Sequence, residues 1–195
     1  MFKPSFNSSD IPNLITLARI LLVGPVVYAL LREEFALALG LFFIAGVSDG
    51  VDGFLAKHYH WQSRLGSLLD PLADKLLLVS SSLSLAWLGL LPWWLVAAVL
   101  LRDLIIVGGA LWWNFNISLL EAEPTIVSKI NTFMQIVLVL AVVLAQLPLL
   151  DLLPEGALTA LIWATLATTL SSGIDYVWEW SKRAREAVHG DAKQR

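Results

Sequence analysis

Four aspartates stand close together in one segment of the chain, inside or directly beside apolar stretches. They are Asp49, Asp52, Asp70 and Asp74. An ionised side chain at membrane depth is costly unless it is paired, hydrated or bound to a cation. The cluster is therefore a candidate functional site.

The spacing of these aspartates indicates how they are arranged. Asp52 follows Asp49 by three residues and Asp74 follows Asp70 by four, and on a helix both spacings place side chains on one face. A short turn joins the two helices, so they run antiparallel and adjacent and can bring the two acidic faces together. Oxygen ligands without histidine or cysteine select hard cations. The pattern predicts a site for two Mg²⁺ or Mn²⁺ ions.

Small and basic residues accompany the aspartates. Gly53, Ala56 and Gly66 leave room for a bulky ligand, and Lys57 and Arg64 add positive charge at the mouth of the site. A hard-metal site with small residues and cations at its rim suits a pyrophosphate. Two other interpretations of the same spacing stay open at this point, a structural network of ion pairs and a water-filled ion pathway.

The elements that must position these residues are membrane helices. Hydrophobic residues make up 57% of the 195 residues and charged residues only 15%, with a mean hydropathy of +0.73. Continuous apolar runs of about 20 residues predict helices that cross a bilayer. We therefore expect an all-α, polytopic membrane protein of about six transmembrane helices in one bundle. The predicted spans are Ile11 to Leu31, Phe35 to Ala56, Leu68 to Leu88, Trp93 to Trp113, Val127 to Leu147 and Ala157 to Val177.

Capping residues predict where the third helix begins. Ser67 and Asp70 resemble a capping pair, which places the start of the helix at Ser67 and Pro71 in its first turn, where a missing amide hydrogen matters little. We expect one membrane domain over residues 1–181, followed by a basic cytoplasmic tail over residues 182–195.

Basic residues indicate the orientation in the membrane. Lysines and arginines concentrate at the two termini and in the turn between the second and third helices. By the positive-inside rule both termini and the acidic cluster face the cytoplasm, and we expect the inner (cell) membrane of a bacterium. Basic residues sit at membrane boundaries rather than on one soluble face, so no nucleic-acid partner is expected. The chain has no cysteine, which excludes a thiolate metal site and a thiol nucleophile.

The aspartate segment resembles the signature of a known enzyme family. It reads Asp49-x-x-Asp52-Gly53-x-x-Ala56-Lys57, then eight residues, then Gly66-x-x-x-Asp70-x-x-x-Asp74. This resembles the CDP-alcohol phosphatidyltransferases, integral membrane enzymes that join a CDP-activated lipid to an alcohol and release CMP. Lys57 departs from the family pattern, which usually has arginine there, and lysine lacks the planar fork of a guanidinium.

The resemblance implies a role for each signature position. The four aspartates would hold two Mg²⁺ or Mn²⁺ ions on the diphosphate of CDP-diacylglycerol, and Asp74 would also act as the general base. The CMP and diphosphate site would be lined by Gly53, Ala56, Lys57 and Gly66. Similar enzymes are dimers, so a homodimer in the membrane lipid is also implied.

Further segments resemble one branch of that family. The opening helix IPNLITLARI and the segment PTIVSKINTFMQ are similar to the phosphatidylglycerol and cardiolipin branch, and the latter to the eukaryotic-type, CMP-forming cardiolipin synthases. The acceptor alcohol is then phosphatidylglycerol or glycerol 3-phosphate. Enzymes that use glycerol 3-phosphate usually carry two lysines in a G-K-x-K-T pattern, whereas this chain has Lys129 and Asn131. The single lysine favours phosphatidylglycerol. The predicted acceptor-binding residues are Arg19, Arg102, Lys129 and Asn131.

A different class of function is an ion- or proton-coupled transporter. A transporter would spread its acidic residues along a path through several helices. Here they concentrate at one cytosolic edge, and the middle of the fifth and sixth helices is expected to be plain hydrocarbon. Metal-dependent release of CMP from CDP-diacylglycerol would separate an enzyme from a transporter.

Overall fold

A computed structural model gives the fold. It describes the backbone of residues 11–58, 64–116, 125–147, 154 and 156–192. Side chains are described at residues 14–51, 69, 71–109, 125–147, 154 and 156–178.

Six α-helices account for nearly all of the described residues, among which there is no β-strand. The expected all-α class is therefore confirmed. In chain order the helices are α1 (Ile11–Leu31), α2 (Phe35–His58), α3 (Arg64–Trp87), α4 (Trp93–Asn116), α5 (Ile126–Ala145) and α6 (Ala157–Ala192).

The start of α3 and the end of α6 differ from the sequence prediction. The third helix begins at Arg64 rather than Ser67 because its first residues, arginine and leucine, are themselves good helix formers. Pro71 consequently lies inside α3 and not in its first turn. The last helix continues to Ala192, so the basic tail extends α6 as one continuous helix over most of its length.

The chain divides into two compact units. Unit 1 comprises Met1–Leu91 and Val139–Leu153, and unit 2 comprises Pro92–Leu138 and Pro154–Arg195. Within unit 1, α1 packs against both α2 and α3; within unit 2, α4 packs against α6.

Small side chains allow the helices of unit 1 to approach closely. Ala29 on α1, Ala38 and Ala45 on α2 and Ala73 on α3 are all at most 1% exposed. In a membrane, close backbone approach through small residues supplies much of the packing energy, because lipid is as apolar as the helix surface.

The end of α1 is a Schellman motif formed without glycine. Glu33 has a φ of 59°, and its amide donates to the Leu30 carbonyl at 2.9 Å, while the Glu34 amide donates to the Ala29 carbonyl at 2.9 Å. Both bonds satisfy carbonyls that the helix itself leaves unpaired. The chain therefore leaves α1 sharply and begins α2 at Phe35.

The end of α3 uses the same motif with glycine in the left-handed position. Gly89 has a φ of 73° and donates to the Ala86 carbonyl at 3.0 Å, and the Leu90 amide donates to the Leu85 carbonyl at 2.9 Å. Glycine adopts this conformation without the steric penalty of a side chain.

Three segments of the described part are long and apolar enough to cross a membrane. They are Leu14–Leu31, Ile126–Ala145 and Ala157–Trp178, and Phe35–Val51 is a shorter apolar helix. These helices fit a membrane protein. The count of six spans and the cytoplasmic location of both termini stay predictions.

Candidate functional site

The candidate site of unit 1 lies where buried stripes on two helices end in charged residues. On α2 the stripe Ala38, Phe42 and Ala45 continues at helical spacing to Asp49. On α1 the buried residues Val26 and Leu30 share a helix face with Arg19, which is itself 1% exposed. Because these stripes pack the helices against each other, they also bring the charged residues into contact.

Arg19 joins the two halves of the aspartate signature. Its Nη1 atom lies 2.7 Å from the Oδ1 atom of Asp49 and donates a hydrogen bond of 2.8 Å to the Oδ1 atom of Asp74. The arginine is buried, whereas the two aspartate side chains are 50% and 46% exposed. One guanidinium nitrogen therefore bridges a carboxylate of α2 and a carboxylate of α3, both of them about half exposed.

The other predicted residues of the signature lie outside the described side chains. They are Asp52, Gly53, Ala56, Lys57, Gly66 and Asp70. Among the side chains that are described, no three acidic or histidine residues come together. The site of four carboxylates therefore stays a prediction, of which Asp49 and Asp74 are the described half.

The chemistry of Asp49 and Asp74 fits a hard divalent cation. Their oxygens, one from each helix, converge on a single positively charged atom at hydrogen-bond distance. Carboxylate oxygens are the ligands that Mg²⁺ and Mn²⁺ prefer. Asp49 and Asp74 are the described residues that would hold such an ion, and the ion would supply positive charge to an anionic ligand there.

A second group of buried polar side chains lies in unit 2 around Arg102. This guanidinium donates from Nε to the Ser172 hydroxyl at 3.1 Å, from Nη2 to Ser128 at 2.6 Å and to Ser172, and from Nη1 to Asp103 at 2.8 Å. It also lies over the ring of Tyr176, 5.7 Å from the centroid. Residues of α4, α5 and α6 together hold this cation, which is 5% exposed, in one orientation.

The amide of Asn131 is fixed by hydroxyls of α6. Its Oδ1 atom accepts hydrogen bonds from Thr168 at 3.0 Å and from Thr169 at 2.9 Å. Its Nδ2 atom and the Nε2 atom of Gln135, one helical turn further along α5, are buried without a hydrogen-bond partner among the described residues. A buried amide donor without a partner is unfavourable, so an oxygen-bearing group that reached these two atoms would gain hydrogen bonds.

The predicted acceptor-binding residues fall into three places. Arg102 and Asn131 belong to the polar group of unit 2, and Arg19 contacts the aspartates of unit 1. Lys129 lies on the exposed side of α5. The structure thus connects Arg102 and Asn131 to hydroxyls of α6, and the role of all four residues in acceptor binding stays a prediction.

The expectation of a plain hydrocarbon middle for the fifth and sixth helices is wrong. Thr165, Thr169 and Ser172 on α6 and Gln135 on α5 are buried polar residues. Serine and threonine give little sequence signal because they lower the hydropathy of an apolar run only slightly. Their hydroxyls can also donate to a backbone carbonyl of the same helix, as Thr169 does to the Thr165 carbonyl at 2.7 Å. Their spacing of three and four residues on one helix face is the signal that could have found them.

Residues 9–171 match the CDP-alcohol phosphatidyltransferase family. A protein of Drosophila melanogaster named probable cardiolipin synthase (CMP-forming) is 34% identical over 88% of this chain and 58% of its own length. The cardiolipin synthase (CMP-forming) of Rattus norvegicus is 32% identical over 94% of this chain and 65% of its own. A chloroplastic CDP-diacylglycerol--glycerol-3-phosphate 3-phosphatidyltransferase 1 of Oryza sativa subsp. japonica is 34% identical over 86% of this chain and 56% of its own.

The chain spans about three fifths of the length of these curated relatives, and the match to the family covers most of the chain, including both halves of the aspartate signature. The chain belongs to the CDP-alcohol phosphatidyltransferase family.

Proposed function

We propose that this protein transfers the phosphatidyl group of CDP-diacylglycerol to phosphatidylglycerol, forming cardiolipin and releasing CMP. The observation that carries the proposal is the contact of Asp49 and Asp74, from the two halves of the signature, with one nitrogen of Arg19. Two carboxylates that converge from different helices form the kind of anionic centre at which a diphosphate is bound through cations.

The residues of unit 1 serve the donor in this proposal. Asp49, Asp52, Asp70 and Asp74 hold two Mg²⁺ or Mn²⁺ ions, and Gly53, Ala56, Lys57 and Gly66 line the CMP and diphosphate site. When bound there, the ions supply positive charge to the diphosphate and to the departing CMP.

Asp74 takes the proton of the reaction. Its side chain is 46% exposed, so an acceptor hydroxyl can approach it. As the hydroxyl proton passes to Asp74, the hydroxyl oxygen attacks the lipid-side phosphorus and the bond from that phosphorus to CMP breaks. Arg19 keeps the carboxylates of Asp74 and Asp49 in their positions during this step.

Phosphatidylglycerol is the preferred acceptor for an electrostatic reason. Glycerol 3-phosphate carries a dianionic phosphate and needs more positive charge than the single phosphodiester of phosphatidylglycerol. At the position of a second lysine this chain has the neutral, fully buried Asn131, and Arg102 shares its charge with Asp103. The fruit-fly and rat relatives are named for the synthesis of cardiolipin, the product that this acceptor would give.

Glycerol 3-phosphate is the second candidate acceptor. The rice relative, named for that substrate, is as similar to this chain as the fruit-fly protein. Arg102 and the exposed Lys129 are the cations that would bind its phosphate. In either case the protein is an integral membrane enzyme, and we propose that its site faces the cytoplasm of a bacterial cell; a homodimer is the assembly we expect.

The proposal is tested by following CMP release from purified protein with CDP-diacylglycerol and both acceptors present together. We expect turnover to require Mg²⁺ or Mn²⁺, to stop with EDTA, and to yield cardiolipin as the main lipid product by mass spectrometry. A main product of phosphatidylglycerophosphate would select the second acceptor instead.

Asp74→Asn provides the control for the site. It keeps the shape of the side chain and removes the base, so we expect turnover to fall by about 10³-fold, within the range typical of general-base loss. A variant that kept its turnover would exclude Asp74 as the base. Absence of CMP release from the wild type under every condition would overturn the enzyme proposal in favour of a transporter.

A further inference from the structure

A cavity of about 480 Å³ opens between α4 and α6 of unit 2. Its walls are mostly apolar, and three of the large side chains that line it, Leu101, Leu170 and Ile174, are more than half exposed. In a membrane protein the medium around such side chains is the hydrocarbon of the lipids. The cavity is therefore open to the bilayer.

Arg102 gives this apolar cavity a polar part. Arg102 belongs to the lining, and the hydroxyls of Ser128 and Ser172 and the carboxylate of Asp103 hold its guanidinium. Thr169, which bonds to the Asn131 amide, lies in the same lining. Asp103 pairs with this cation, and a buried ionisable side chain at membrane depth is by default a candidate for a functional role. Apolar walls and a cation together match an amphiphile rather than a water-soluble acceptor.

The length of the cavity matches an acyl chain. Along α6 the lining extends from Thr169 to Trp178, which corresponds to about 13 Å of helix. This is nearly half of the roughly 30 Å hydrocarbon core of a bilayer, the depth that the chains of one leaflet fill.

We propose that the α4–α6 cavity binds an acyl chain of a glycerophospholipid acceptor, whose ester and phosphate oxygens contact Arg102. The acceptor then enters from the membrane between α4 and α6 instead of from the cytosol. This inference rests on the proposed transferase function with a lipid acceptor, and it assigns the acceptor's hydrocarbon to residues outside the aspartate signature.

Gly173 provides a way to fill the cavity. It belongs to the lining, and a Cβ atom at this position would lie 3.8 Å from the Cγ atom of Arg102, which is an ordinary van der Waals contact. A small side chain at position 173 therefore fits without a steric clash. A larger side chain would extend into the part of the cavity that the acyl chain would occupy. Gly108 on α4 is the matched control, because a Cβ atom there would meet nothing within 4 Å and the residue lies outside the lining.

The experiment compares two acceptors that share a headgroup, dioleoyl phosphatidylglycerol and its deacylated form, glycerophosphoglycerol, with CDP-diacylglycerol as donor. For Gly173→Leu we expect the KM of the diacyl acceptor to rise about tenfold, the effect of misfitting a few methylene groups, and a smaller rise for Gly173→Ala. The KM values of glycerophosphoglycerol and of CDP-diacylglycerol should stay unchanged. Gly108→Leu should behave as the wild type with both acceptors.

Other outcomes overturn the inference in distinct ways. An equal effect on both acceptors would mean a structural role for Gly173, and an effect on the KM of CDP-diacylglycerol would assign the cavity to the donor. A changed oligomeric state of Gly173→Leu, measured by mass photometry, would assign it to a second copy of the chain. No effect on any KM would leave the cavity without a function in the reaction.

A second variant distinguishes a loss of cavity volume from misfolding of the first variant. Ala98→Leu narrows the same cavity from the α4 side and should reproduce the selective loss of the diacyl acceptor. If only Gly173→Leu were selective, the inference would fail. Failure of the proposed function is distinguishable because the wild type would then release no CMP with phosphatidylglycerol, before any variant is made.

Discussion

At the scale of single residues, two of the arginines whose side chains are described, Arg19 and Arg102, are buried, and each is neutralised differently. Arg19 bridges two half-exposed carboxylates on other helices, whereas Arg102 pairs with the neighbouring Asp103 and donates its other hydrogen bonds to serine hydroxyls. The first arrangement ties helices together through charge. The second holds a cation in one orientation, which is what binding of a ligand requires.

The residue-scale prediction concerns Arg19. Arg19→Gln leaves Asp49 and Asp74 facing each other without their cation, and we expect the free energy of unfolding to fall by about 1–3 kcal/mol in the presence of EDTA. Millimolar Mg²⁺ should restore most of this loss, because the more negative pair binds a divalent cation more tightly and ligand binding stabilises the folded state. Thermal unfolding of the detergent-solubilised protein measures both effects.

Two further variants make this test specific. Arg19→Lys keeps the charge and should lie between the wild type and Arg19→Gln. Arg32→Gln removes an exposed arginine that stacks on Tyr28 and should change stability little, since exposed pairs contribute at most about 1 kcal/mol. A loss in Arg19→Gln that Mg²⁺ did not reverse would show that Arg19 acts through packing alone.

At the scale of elements, the ends of α1 and α3 show one motif made from different residues. Both helices end with a residue of positive φ, Glu33 in one case and Gly89 in the other. The backbone bonds are equivalent, so the difference between them is the steric cost of a side chain in the left-handed region.

The element-scale prediction follows from that cost. Glu33→Gly should raise the free energy of unfolding by about 1 kcal/mol, and Gly89→Ala should lower it by a similar amount. Glu33→Gln retains the strain and removes only the charge, so it should stay within about 0.5 kcal/mol of the wild type. Equal shifts in the glycine and glutamine variants would attribute the effect to charge. Chemical unfolding in mixed micelles measures each difference.

At the scale of the whole molecule, orientation in the membrane is decided by the distribution of basic residues. The chain lacks cysteine, so single cysteines can report on each side of the membrane without further changes. Glu34, in the turn between α1 and α2, is expected outside, and Gln62 and Lys193 are expected in the cytoplasm.

The whole-molecule prediction is tested by labelling intact cells with a membrane-impermeant maleimide. Glu34→Cys should be labelled directly, and Gln62→Cys and Lys193→Cys only after the membrane is permeabilised. The parent chain, which has no cysteine, is the control for background. Labelling of Gln62→Cys and Lys193→Cys from opposite sides would contradict an even number of spans between them.

Much of the fold was determined by the sequence alone, because its signals are local. Five of the six helix starts lie within one residue of the predicted spans, since a membrane helix is read from a continuous apolar run. The start of α3 was missed because capping residues compete with the helix propensity of the residues before them. The family followed from the resemblance of the aspartate segment to a known signature, and the match over residues 9–171 confirms it.

The partners of the buried polar groups were decided only by the tertiary structure. Arg19 contacts Asp74 across 55 residues of sequence, and Arg102 contacts Ser172 across 70. The spacing of residues along one helix shows which of them share a face, but it does not show which other helix that face will contact. The hydroxyl residues of α6 give little signal in the sequence, and only the folded structure shows that they are the hydrogen-bond partners of Arg102 and Asn131. The sequence alone determined which charged residues lie within the apolar segments. The tertiary structure decided how each charge is neutralised, because only helix packing brings residues that are far apart in the sequence into contact.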